Sequence, residues 1–321
     1  VAILEQVHPV AAAIFELYER EARENPEEDW RRDHLGASLL GKPCLRDLWY
    51  SFRWTKSPSF PGRILRLFGR GDREEELIIS ELRRLGWEVW TLDEETGEQF
   101  RFEAVGGHVG GGLDGVARGV IGAPKTPHVV EIKTSNDKRF KALERDGVEK
   151  SNPQHFTQMQ LYMKGMKLKR AVYICVNKNT DEIYVERVKY DAKKARTALL
   201  NAELVVTSKE PTTRISEDPS WYQCKFCDHA PVCHEGRYEL VERNCRTCTS
   251  STPTPDGKWL CDHHGIELTS EAQRAGCEDH RILPAILDKW DAAGFDASSR
   301  TVYYAKSDDP EDVAFDDGGL N

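Results

Sequence analysis

The sequence predicts an α/β fold with small cysteine-bearing modules appended, and three observations carry that expectation. A β-branched run, Val129-Val130-Glu131-Ile132-Lys133-Thr134, reads as a buried strand with Pro127 just upstream. Segments of helical period precede and follow it, and most of the nine cysteines lie beyond residue 223 in closely spaced groups. In order, Pro9 to Asn25 is an amphipathic helix, followed by a charged linker to about Arg32. Cys44 opens an aromatic-rich helix ending near Trp54, and Lys56–Gly62 is a Pro/Ser/Gly loop. Arg73 to Leu85 is a helix with Leu77, Ile78, Leu82 and Leu85 on one side. Strands are expected at Trp87–Thr91, Gln99–Glu103, Leu113–Val120 and Val129–Thr134. A helix from about Pro153 to Lys167 leads to two strands, Ala171–Asn177 and Glu182–Tyr190, which read as a hairpin around Asn179-Thr180-Asp181. Ala192 to about Lys209 is a helix running into the cysteine segment, and no internal repeat is present.

The strand carries chemistry. Residues two apart on a strand share a face, so Glu131 and Lys133 present a carboxylate and an ammonium side by side. Such a pair is expensive to bury unless a metal or an ion pair uses it, and Glu-x-Lys alone is also what a cross-strand ion pair leaves in a sequence. Asp114, in Gly111-Gly112-Leu113-Asp114-Gly115-Val116, can add a second carboxylate from the neighbouring strand. Two converging carboxylates are what a hard divalent cation such as Mg²⁺ needs, and Lys133 is placed to hold a water or to stabilise charge on a phosphate. Gln158 and Tyr162 lie one helical turn apart on the next helix.

Asp114, then Glu131-x-Lys133 seventeen positions later, resembles the PD-(D/E)-x-K nuclease motif. Gln158-Met-Gln-Leu-Tyr162 resembles the Q-x3-Y motif of the RecB-like exonuclease branch of that superfamily. The resemblance implies a restriction-endonuclease-like core, a central mixed sheet flanked by helices, with the Gln158 helix packed beside the metal site and touching DNA. It implies a Mg²⁺- or Mn²⁺-dependent deoxyribonuclease with Asp114, Glu131, Lys133, Gln158 and Tyr162 as catalytic residues. Asp114, Glu131 and the Ile132 carbonyl would hold the metal. RecB-like enzymes usually place a His four residues after a Gly on an upstream helix, and lambda-exonuclease-like relatives a Glu. This chain reads Gly71-Asp72-Arg73-Glu74-Glu75, so Glu75 is the expected extra ligand, with Glu74 a close second. The missing His leaves cleavage polarity open. The implied activity is exonucleolytic cleavage of DNA ends, a linear duplex end or a single-stranded tail, in recombination, end resection or repair. A recombination partner protein and a phage origin fit that expectation. Processing of CRISPR spacers and a non-catalytic DNA-binding scaffold are the competing readings.

Cys44 stands alone, and Cys224-x2-Cys227-x5-Cys233 follows far downstream, so the two bracket the nuclease-like motifs. That arrangement resembles the iron–sulfur staple of the CRISPR-associated RecB-like nucleases and of AddB. It implies a structural [4Fe–4S] cluster on Cys44, Cys224, Cys227 and Cys233, although four thiolates suit zinc as well. Further on, Cys245-x2-Cys248 and Cys261 flank a turn-rich stretch, the sequence form of a small zinc ribbon or knuckle. Its fourth ligand is Cys277, His264 or His280; Cys277 is preferred because four cysteines are the commonest closed set in such ribbons. Cys175, in an apolar run, reads as a core thiol, and His155 is close enough to Gln158 in sequence to touch substrate.

At 321 residues the chain can hold one sizeable core and a small appended module. The expected organisation is a helical segment over 1–62, a nuclease core over 63–210, the iron–sulfur segment over 211–240, a zinc module over 241–306 and a disordered acidic tail over 307–321. No stretch reaches bilayer length and no signal peptide is visible, so no membrane association is expected. The chain begins with Val1 rather than Met, as a trimmed chain would. Thiols in metal-like spacings point to a reducing cytoplasm, bacterial or phage-infected. The net charge of −9 suits nucleic acid poorly, but residues 307–321 hold six of the negative charges and no base, leaving −3 on the rest. Local basic clusters then matter more than the total. Arg63, Arg66 and Arg70, and Lys138, Arg139 and Lys141, flank the motifs, and Arg66, Arg70, Lys138 and Arg139 are the expected DNA contacts.

Overall fold

The β-branched run around Glu131 forms the middle strand of a five-stranded mixed sheet. The computed structural model describes residues 8–24, 31–298, 301–307 and 309–316. In chain order it contains α1 (Pro9–Glu24), β1 (Leu35–Gly36), α2 (Leu45–Phe52), α3 (Gly62–Arg84), β2 (Glu88–Trp90), β3 (Arg101–Ala104), β4 (Val109–Gly112), β5 (Gly115–Arg118) and β6 (His128–Ser135). Next come α4 (Asp137–Ser151), α5 (Pro153–Gly165), β7 (Arg170–Asn177), β8 (Ile183–Lys189) and α6 (Ala192–Thr207). The remainder is α7 (Tyr222–Lys225), α8 (Ala230–Glu235), β9 (Ser251–Pro253), β10 (Trp259–Cys261), β11 (Ile266–Glu267), α9 (Ser270–Ala275), β12 (Trp290–Asp296), β13 (Thr301–Lys306) and β14 (Asp309–Asp316).

Two units divide these elements. The first takes residues up to 32, 58–102 and 112–192; the second takes 33–57, 103–111 and 193 onward. This partition differs from the boundary expected near residue 62. Helix α1 belongs with α3, because the Gly62 N–H donates to Glu19 Oε1 at 2.7 Å and the Gly62 Cα lies against the Phe15 backbone. The stretch carrying Cys44 belongs with the later cysteine segments instead.

In the first unit the sheet order is β2-β5-β6-β7-β8, with β6 and β7 parallel and the other pairs antiparallel. A parallel pair needs a crossover, and α4 with α5 supplies it. One face of the sheet is dry: Ile78, Ile79 and Leu82 of α3 cluster with Val130, Ile132, Val172, Ile174 and Val176. Each such side chain contributes about 1.5–3 kcal/mol by leaving water. By the strand period of two, Val129, Glu131 and Lys133 face the other way, toward the side where α5 buries Phe156, Met159 and Met163.

Several expectations shift. Helix α3 begins eleven residues before Arg73, at Gly62, after the extended Pro61. Its buried stripe is Ile78, Ile79 and Leu82, whereas Leu77 is 51% exposed, one helical step off that face, and Leu85 is 68% exposed at the C-cap. Helix α4 was not expected. Its N-cap, Asn136, accepts the Arg139 N–H at 2.9 Å, and Phe140, Leu143 and Val148 are buried despite a break at Gly147 (φ +73°).

In the second unit, β9, β10 and β11 form an antiparallel sheet of order β11-β10-β9, and β12, β13 and β14 form an antiparallel meander. The acidic stretch 307–321 therefore differs from the expected disordered tail: 309–316 is a strand whose backbone is paired along the aromatic, β-branched β13, and 308 and 317–321 lie outside the described residues. The unit's core is built on Arg246, only 1% exposed. Its guanidinium lies 3.7 Å from the Trp54 ring centroid and donates to Gln273 Oε1 and to the Phe52 and Asp33 carbonyls. Burial lowers its pKa to about 9. Among the described residues no helix is long and apolar enough to cross a membrane.

Candidate active site and cysteine clusters

Glu131 is fully buried. Lys133, two residues on, turns its ammonium back over it: Nζ is 2.6 Å from Glu131 Oε1, 2.9 Å from the Ile132 carbonyl oxygen and 3.5 Å from Asp114 Oδ2. Asp114 precedes β5, the antiparallel neighbour of β6, and its Oδ2 accepts the Ile132 N–H at 2.7 Å. Asp114, Glu131 and the Ile132 carbonyl, the three ligands implied by the motif, thus converge on one cation, which here is the lysine's own ammonium.

Burial pushes the Glu131 carboxyl up, Asp114 and Glu75 push the same way, and Lys133 opposes them. Burial would lower the Lys133 ammonium, but Glu131 and Asp114 outweigh it and raise its pKa. Glu75, half-buried on α3, is pushed up to about 7 by burial first and then by Asp114, with Lys133 opposing. Glu75 is thus coupled electrostatically to Asp114 and Lys133.

These residues fit a divalent cation. Three carboxylates face one ammonium, so the fully ionised cluster carries two excess negative charges. Glu131 Oε2 has no hydrogen-bond partner among the described residues, and a buried oxygen of this kind is costly unless something binds it. Among the described residues, the oxygens of Asp114, Glu131 and Glu75 do not make a group of three within 4.8 Å of one another.

Helix α5 supplies the other wall. Gln158 Nε2 donates to Tyr162 Oη at 3.0 Å, both residues being buried. Burial raises the Tyr162 pKa, and Glu131 adds to it, so the phenol stays protonated and can donate. One turn earlier, His155 Nδ1 lies 2.8 Å from Tyr173 Oη; burial, then Lys133 and Arg139, bring its pKa down to about 4. His155 is thus neutral and electrostatically coupled to Lys133, a neighbour that distance in sequence had hidden. Of the expected DNA contacts, Arg66, Lys138 and Arg139 are exposed, and Arg70 donates to the Lys178 carbonyl at 3.0 Å.

The first cysteine set is gathered in part. The Cys44, Cys224 and Cys233 thiols interact electrostatically with one another. Cys227 turns instead to Asp47, its Sγ 3.3 Å from Oδ1, which also meets His229 Nδ1 at 2.7 Å. Burial and Asp47 push the Cys227 thiol up to about 12. Asp47, Cys227 and His229 offer ligand atoms within 4.8 Å of one another, a donor group the sequence reading missed. Nothing in the spacing links Asp47 to His229 across 182 residues.

The second set comes together. The Cys245 thiol is pushed up to about 12 by burial and by Cys248, Cys277 and Cys261. Cys277 thus lies within electrostatic reach of Cys245, as Cys248 and Cys261 do. His264 Nε2 stands 3.7 Å from Cys277 Sγ, and His280 Nε2 lies 3.0 Å from Thr247 Oγ1. All nine cysteines are free thiols, and Cys175 is buried in β7 as expected.

No protein-family model matches the sequence, and no curated relative matches it. Among solved structures, the crystal structure of SSO0001 is 16% identical, with 70% of this chain and 96% of that one covered and a TM-score of 0.41. The alkaline exonuclease LHK-Exo from Laribacter hongkongensis is 15% identical, with 59% and 90% covered and a TM-score of 0.38. The same exonuclease in complex with dAMP gives 15%, 56% and 90%, and a TM-score of 0.39. Likenesses this loose carry no weight for the site, which stands on its own geometry.

Proposed function

We propose that this chain is a metal-dependent DNA exonuclease of the PD-(D/E)-x-K type, on a restriction-endonuclease-like core and of the RecB-like branch. The observation that carries this reading is the convergence of Asp114 Oδ2, Glu131 Oε1 and the Ile132 carbonyl on a single cation beside Gln158 and Tyr162. Asp114, Glu131, the Ile132 carbonyl and Glu75 would hold Mg²⁺ or Mn²⁺. Such an ion supplies a Lewis acid for the scissile phosphate and lowers the pKa of a water nucleophile. Lys133 remains protonated and stabilises the charge that grows on the phosphate as the sugar oxygen leaves. Tyr162, kept neutral and oriented by Gln158, donates into the same space. Arg66, Arg70, Lys138 and Arg139 are assigned to the DNA backbone. The cysteine sets serve architecture: Cys44, Cys224, Cys227 and Cys233 for a [4Fe–4S] cluster, Cys245, Cys248, Cys261 and Cys277 for zinc. The cellular task is processing of DNA ends in recombination, resection or repair, in concert with a recombination partner.

Linear DNA labelled separately at each end, incubated with Mg²⁺ or Mn²⁺, tests the reading against Lys133→Ala. Wild-type protein should release nucleotides from a labelled end and the variant should not. Metal-replete protein that binds DNA without cutting it would overturn the assignment.

A further inference from the structure

Beside the four-cysteine set is a second group of donors that the nuclease reading does not use. Residues 262–265 form the turn joining β10 to β11, closed by the Gly265 N–H donating to the Cys261 carbonyl at 2.8 Å, with Gly265 at φ +65°. On a strand, adjacent side chains would point to opposite faces. In this turn His263 and His264 instead lie side by side, ring centroids 4.7 Å apart. A second turn, in which the His280 N–H donates to the Cys277 carbonyl at 3.0 Å, brings Asp279 to them.

Both imidazoles direct Nε2 at the same oxygen: His263 Nε2 is 3.5 Å and His264 Nε2 3.6 Å from Asp279 Oδ2. These separations exceed the 2.7–3.2 Å of an N–H···O hydrogen bond. They match the edge of a tetrahedron of donors around an ion with N and O bonds near 2.0–2.2 Å, which is about 3.4 Å. The ligand atoms of all three residues lie within 4.8 Å of one another. Two imidazoles and a carboxylate suit a borderline ion such as Zn²⁺ or Co²⁺ better than Mg²⁺.

We propose that His263, His264 and Asp279 bind a divalent transition-metal ion of the zinc class, separate from the ion held by the four cysteines. The side chains are 42%, 40% and 28% exposed, so the site opens to solvent, a water completes its coordination, and the ion exchanges readily. Cys277 stays with the thiolates, and its contact with His264 makes the two sites neighbours.

The test uses the full chain, prepared anaerobically, with Zn²⁺ content measured after equilibrium dialysis and Co²⁺ titrated by absorbance. Wild-type protein should hold one ion more per chain than His263→Ala/Asp279→Asn, with the thiolate-to-cobalt band unchanged in the variant. Cys248→Ser should lose the thiolate band yet retain the histidine-bound ion, which separates this site from the ribbon assignment. Equal ion counts in wild type and the double variant would overturn the proposal. So would loss of the thiolate band in the double variant, because the histidines would then belong to the cysteine set.

Discussion

Metal binding at the Asp114–Glu131 cluster should be coupled steeply to pH, and Glu75 sets the window. Its folded pKa is raised from 4.5 to about 7. A carboxyl with a raised folded pKa binds its proton more tightly when folded. Its contribution to stability is therefore fully present below about pH 4.5 and is lost as pH rises through about 7. A metal ion needs the opposite state, the free carboxylate. With a pKa of about 7, roughly one-tenth of Glu75 is ionised at pH 6 and roughly nine-tenths at pH 8. Metal affinity should therefore rise about tenfold between those pH values, or about 1.4 kcal/mol. For a chain of this size that corresponds to about 2 °C of additional melting-temperature shift. Glu131, also raised, steepens the dependence in the same direction. Thermal unfolding followed by dye fluorescence, with Mg²⁺ or EDTA at pH 6, 7 and 8, gives the assay. The Mg²⁺-induced shift should grow with pH in wild type and grow much less in Glu75→Gln. A shift that is equal at pH 6 and 8, or a pH dependence untouched by Glu75→Gln, would refute the reasoning.

Lys133→Ala should lower cleavage by about 10²–10³ while DNA affinity in a filter-binding assay stays near wild type, because a lost transition-state charge contact costs rate rather than binding. Tyr162→Phe should destabilise the chain by about 1–3 kcal/mol in chemical denaturation, since it leaves the buried Gln158 amide without the oxygen it donates to. Gly62→Ala should cost about 1–3 kcal/mol, as the added Cβ runs into the Phe15 carbonyl where α1 crosses α3. Anaerobically purified protein should be brown with a broad band near ~400 nm, and Cys233→Ser should bleach it; a colourless protein carrying only zinc would sink the iron–sulfur assignment.

Much of the site was legible because its parts are local. The period of two places Glu131 and Lys133 on one face of β6, and a spacing of four places Gln158 within 3.0 Å of Tyr162 on α5. The strand and helix kinds follow from β-branched runs, Pro153 at the start of α5 and the alternation of apolar residues, with ends other than the start of α3 moved by at most two residues. The early start of α3 was hidden by Gly69 and Gly71, poor helix formers that are carried by helix on both sides. Helix α4 was hidden because its fifteen residues bury few apolar side chains and include Gly147.

What sequence alone determined, then, is the set of groups that each element presents, since side-chain direction depends on φ/ψ and residue spacing. Only the tertiary structure decided which of those groups meet. Strand pairing brought Asp114 to the Ile132 N–H, and helix α3 brought Glu75 into the field of Asp114 and Lys133. The same kind of contact across the chain set Cys227 against Asp47, and drew His263 and His264 to Asp279. These encounters join residues far apart in the chain, where no periodicity constrains distance and only packing and pairing can specify it.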